Sequence, residues 1–201
     1  MTSTRLLSAL LCLALAPACS SDDSVSSDAQ ARRAYLGLDK SIGKSIALGF
    51  DGFNTSSSAN ISPQMTAGDA GGMLVITGQV DHGSSANKNM RLYVGMTAYT
   101  DGIFKDGDTD VAITYATDTT QTAQPFLSMM LSGIPTGTVT GTLVGTYHMT
   151  GDLADDAMLN LSFTGQLQAG ANNTVERKPG TTMVTGTATS GAGTYNVMVT
   201  L

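Results

Sequence analysis

Apolar residues recur first at helical and later at strand spacing, and that change of period divides the chain. Tyr35, Leu38, Ile42, Ile46, Phe50 and Phe53 follow one another at intervals of three or four, the stripe of a helix that buries one face. Ser27 opens it with a capping-box pattern, "SDAQ", in which Gln30 stands three residues on. The helix is predicted to end near Phe50, before "DGFN". Gly37, Gly43 and Gly49 each weaken it by about 1 kcal/mol relative to alanine. Either packing of the stripe compensates, or the glycines admit a close neighbour.

After "TSSSANISP", read as a loop, the period becomes two. Eight strands are predicted, near 72–80, 90–100, 110–116, 126–134, 136–149, 157–168, 181–189 and 193–201. Turn-rich separators such as "DHGSSANKN", "DGIFKDGDT" and "SGAG" lie between them. Even spacing and short connections predict a mainly β fold, an antiparallel up-and-down meander forming a curved, barrel-like sheet. One N-terminal amphipathic helix packs on or in it; a β-sandwich is the alternative. Along "GTVTGTLVGTYHM" one face alternates glycine with Val139, Leu143 and Tyr147, which permits sharp curvature or close packing of the helix. The methionines, Met129 and Met130 included, fall among Leu and Val and read as core filler rather than as a thioether metal site.

Composition supports the strand reading. Charged residues make up 13% of the chain, the net charge is -6, and Glu176 is the single glutamate. Aspartate favours turns and caps over helical surfaces. Nothing supplies the basic stripe that a nucleic-acid partner requires.

The first residues differ from the rest. Arg5, the apolar "LLSALLCLALA" and the small residues "APA" stand in the order of a secretory signal, and Cys19 follows. This segment resembles the bacterial lipoprotein signal class, whose lipobox ends in a cysteine that is acylated before cleavage. The resemblance implies a signal over 1–18, a covalent lipid on Cys19, and a membrane partner reached through that anchor; no other cofactor is expected. Ser20 after the cysteine implies the outer membrane. Ala16 stands where the class usually has Leu, so ordinary cleavage after Ala18 and release of a soluble form remains the alternative. No cysteine follows Cys19, so it has no partner for a disulfide or thiolate site. Residues 19–28 read as a short polar tether and 29–201 as a single domain.

Candidate chemistry is sparse. His82 and His148 are expected at one end of the meander with Asp81, Asp118, Asp152, Asp155 and Asp156, where imidazole and carboxylate could hold a metal ion. Asp106, Asp108 and Asp110 alternate as a calcium loop begins, but Val111 and Thr117 occupy positions that need glycine and an acid, so a hairpin turn fits better. Arg32 and Arg33 could contact anionic head groups beside the anchor, but two charges make no polybasic patch and a solvated pair fits better. No nucleophile elbow, phosphate loop or dinucleotide fingerprint is present. The expected function is therefore that of a noncatalytic binding or structural module in a bacterial envelope. A metal-dependent enzyme using the His82/His148 end and a lipocalin-like carrier of a small apolar ligand are the alternatives.

Overall fold

The computed structural model describes residues 23–201, which share one hydrophobic core. Cys19 and the signal-like segment lie outside the described residues. Two helices come first, α1 (Asp28–Leu36) and α2 (Asp39–Thr55). Strands follow: β1 (Asn60–Ala67), β2 (Gly71–Val80), β3 (Lys88–Thr100), β4 (Ile103–Asp106), β5 (Thr109–Ala116) and β6 (Phe126–Ser132). The rest are β7 (Thr138–Gly151), β8 (Asp155–Ala169), β9 (Val175–Arg177), β10 (Met183–Ser190) and β11 (Gly193–Thr200). All eight predicted strands are present. Three more are added by the structure: β1, which carries Pro63 and lies at a sheet edge, and the short β4 and β9.

The helix begins where its cap predicts. Ser27 Oγ accepts from the Gln30 N–H at 3.2 Å, while Gln30 Oε1 accepts from the Ser26 N–H at 2.9 Å. It runs on to Thr55 but breaks at Gly37–Leu38. A Cβ on Gly37 would lie 2.3 Å from the Tyr115 hydroxyl oxygen, and that hydroxyl donates to Ala34 O at 3.0 Å. Gly49 makes similar room for Met90, whose Sδ would be 2.8 Å from a Cβ, whereas Gly43 faces open space. Two of the three glycines thus serve close approach. The glycines of β7 do not receive the helix: Gly141 accommodates the Phe163 ring and Gly145 accommodates Pro125.

Every strand pair is antiparallel. The sheet runs β1-β2-β3, then a lane shared by β5 and β6, then β7-β8-β10-β11. Strand β6 pairs with the first half of β3, and β5 reaches it only through Tyr99 opposite Tyr115. Both short strands run in the same direction, in tandem, against the 14-residue β7. Among the described residues β1 and β11 do not pair with each other, so this is one open sheet, neither a closed barrel nor a sandwich. Helix α1 lies against β10 and β11 and α2 against β1, β2 and β9, so the helical segment connects the two edges. Inward residues of every long strand pack with Ala34, Leu38, Ile42 and Ile46 of the helices.

Alternation along the strands separates the methionines, and this corrects the core expectation. Met90, Met96, Met129 and Met149 are buried, but Met65, Met73, Met130, Met158, Met183 and Met198 are exposed. Met129 and Met130, adjacent in sequence, point to opposite faces.

The register defines two ends. The Lys88 end collects the 81–87 loop, the 133–137 turn and residues 170–174. The Asp101 end collects residues 68–70, 101–102 and 152–154. The chain enters at the Asp101 end: the Ala154 N–H donates to Asp23 O at 2.8 Å, the Ser190 hydroxyl donates to Val25 O at 2.5 Å, and Val25 is fully buried. The tether expected over 19–28 is therefore held to the domain from Asp23 onward. Among the described residues no helix is long and apolar enough to cross a membrane.

Candidate functional site

Ion pairs close the Asp101 end. Lys44 Nζ donates to Asp69 Oδ1 at 2.8 Å and to Asp101 Oδ1 at 2.5 Å, and Lys40 reaches Asp69 Oδ2 at 2.9 Å. The Tyr99 hydroxyl donates to Asp101 Oδ2 at 2.5 Å. Hydrogen bonds from Lys44 and Lys40 lower the Asp69 pKa to about 2. Burial, reinforced by Asp101, pushes the Tyr99 phenol well above its ordinary value. This cluster ties α2 to the β1–β2 turn and to the end of β3. A second, partly buried pair holds the start of α2: Arg177 Nη1 donates to Asp39 Oδ1 at 2.8 Å, and the Tyr35 hydroxyl donates to the same oxygen at 2.7 Å.

The Lys88 end remains open. A cavity of about 600 Å³ lies between the C-terminal part of α2, the 84–88 segment, the Ile134–Pro135 turn and Asn172, Thr174 and Val175. Its wall is mixed: Phe50, Phe53, Ile134, Pro135 and Val175 are apolar, while Asn54, Ser84 and Ser85 supply polar groups. Lys88 also lines it; its ammonium donates to Gly83 O and sits 4.5 Å from the Phe53 ring centroid. A concave, partly apolar site with a few convergent polar groups is the usual form of a small-molecule site. The signal for Lys88 is present in the sequence: extending the alternation of β3 two residues back from Met90 places it inward. A strand predicted to start near residue 90 stops short of it.

The residues singled out from sequence do not converge. His82 lies at the Lys88 end, where its Nε2 is 3.2 Å from Ser56 O and its ring is 5.5 Å from that of Phe53. His148 lies ten residues along β7 from Thr138, which puts it about 33 Å of strand away at the opposite end. There its Nδ1 is 2.6 Å from Asp156 Oδ1. The tandem arrangement of β5 and β6 causes the separation, because two successive strands in one direction reverse the expected alternation of ends. Asp81 stays with His82 and pairs with Arg91, while Asp152, Asp155 and Asp156 go with His148.

Asp106, Asp108 and Asp110 belong to the β4–β5 hairpin, whose turn is Gly107–Asp108. Asp106 is buried under Arg32 and Arg33, the latter donating through Nε at 2.8 Å, and Asp110 pairs with Lys105 at 2.7 Å. The two arginines are thus structural clasps rather than a solvated pair. Among the described residues no group of three or more His, Cys, Asp or Glu is placed to hold a metal ion. A lipocalin-like carrier needs an apolar hollow inside the sheet, whereas here the helices pack against its inner face and the cavity lies at one end.

The fold and site define a class, an open antiparallel sheet filled by a broken helix with a cavity at one end. No known protein family, curated protein or solved structure matches this chain.

Proposed function

We propose that this protein is a noncatalytic binding module of a bacterial envelope, anchored through a lipid on Cys19 and taking a small molecule in the Lys88-end cavity. The observation that carries the reading is the contrast between a chain entry fixed at the Asp101 end and a mixed apolar and polar cavity of about 600 Å³ at the other. Asp23 stands four positions after Cys19, a reach of at most about 14 Å. An acylated Cys19 would therefore hold the Asp101 end close to the membrane and leave the cavity facing away from it. Two or more acyl chains give stable anchoring where one is marginal.

Two measurements test this. Mass spectrometry of the mature protein should find an acylated Cys19 at the N-terminus, and Cys19→Ala should move the protein out of the membrane fraction. An unmodified Cys19 would remove the anchor. An NMR fragment screen should shift amides of residues 84–88 and 172–175 in the wild type, and not in Ala47→Trp, which fills the cavity from an exposed helix position. Shifts confined to other surfaces would remove the binding site.

A further inference from the structure

Lys88 occupies a core position. The alternation that turns Met90, Leu92 and Val94 inward also turns Lys88 inward, and the residue is only 4% exposed. A buried ammonium is costly unless it is paired. The less buried cations nevertheless find partners: Arg32, Arg33, Lys40, Lys44, Arg91, Lys105 and Arg177 each meet an aspartate. Lys178 does not, but it is exposed. Among the described residues Lys88 is thus the one buried cation with no carboxylate partner, in a chain whose net charge is -6.

Its surroundings leave it capacity to bind. One N–H goes to Gly83 O, the Phe53 ring covers the ammonium at 4.5 Å, and the cavity wall that Lys88 lines continues into Phe50, Ile134 and Pro135. Asp51, the carboxylate on the same wall, is exposed and forms no ion pair with Lys88. It would repel a second negative charge on a ligand. Resting on the cavity reading above, we infer that the ligand is a small monoanionic amphiphile. Its carboxylate takes an N–H of Lys88 not used on Gly83, and its hydrocarbon part lies against Phe50, Phe53 and Ile134.

Octanoate and 1-octanol, equal in chain length and different in charge, test this by isothermal titration calorimetry on the full chain carrying Cys19→Ala, prepared without detergent. Octanoate should bind at least about tenfold more tightly than 1-octanol, the scale of one charge-assisted hydrogen bond in a sheltered site. Lys88→Met should reduce octanoate to the level of the alcohol, and Lys88→Arg should restore the preference. Equal binding of the two probes, or unchanged octanoate binding by Lys88→Met, would overturn the anion site while leaving the cavity reading intact. Binding of neither probe, with no fragment at the cavity, would overturn both. If Lys88→Met fails to fold, the ratio between the two probes in the wild type, together with Lys88→Arg, still decides.

Discussion

The two ends of the sheet use the same cation differently. At the Asp101 end Lys44 is part of a saturated cluster, meeting two aspartates, a backbone carbonyl and the face of Tyr99. At the other end Lys88 is more deeply buried and meets a carbonyl and a ring. A saturated charge cluster has no valence left for a ligand and contributes to holding the fold. A buried charge without a counter-ion adds little stability, or costs some, and retains its attraction for an incoming anion.

The largest expected effect comes from breaking the saturated end. Asp101→Asn removes the charge that Lys44 and the Tyr99 hydroxyl share. It should lower unfolding free energy by about 2 kcal/mol, since an almost buried partner is lost but Lys44 keeps some solvent access. Lys88→Met should stay within about 1 kcal/mol of wild type, because lost hydrogen bonding is offset by relieved desolvation. Urea unfolding of both variants checks the contrast, and equal losses would erase it.

A smaller effect sharpens the comparison from between the ends. Gly43 lies in α2, and a Cβ at that position would meet no atom within 4 Å. Gly43→Ala should raise stability by about 0.5–1 kcal/mol through helix propensity. The cluster and the cavity should be untouched, so a thermal melt should shift upward with unchanged octanoate affinity.

The smallest effect is acid sensitivity at the closed end. The Asp69 pKa is lowered from 3.8 to about 2. Its contribution is therefore present above pH 3.8 and lost as pH falls through about 2. Asp69 is about half exposed, so solvent screening keeps the contribution small. The difference in melting temperature between wild type and Asp69→Asn should be modest at pH 5, shrink through pH 2 and vanish near about pH 1; a difference that grows on acidification would contradict the assignment.

Local chemistry was legible wherever it acts over a few residues. The Ser27 cap, the helical stripe and the alternating strands follow from spacing alone, because burying one face of a helix or strand fixes which positions are apolar. Strand β1 was hidden because "NISPQMTA" has little apolar alternation; an edge strand can expose most side chains and carry a proline. The tandem lane left a trace in length: β5 and β6 have 8 and 7 residues, while their neighbours β3 and β7 have 13 and 14. Two short strands can share one long partner, but nothing local says that they must.

The sequence by itself determined the mainly β class, the helical start and the turns. Tertiary structure decided which end each residue occupies, which methionines face solvent, and which of the charges found partners. Those outcomes depend on strand order and direction, set by packing between segments far apart in the chain. Lys88 shows the division plainly: its inward direction is written in the strand period, but its lack of a counter-ion exists only once the other aspartates have been placed elsewhere.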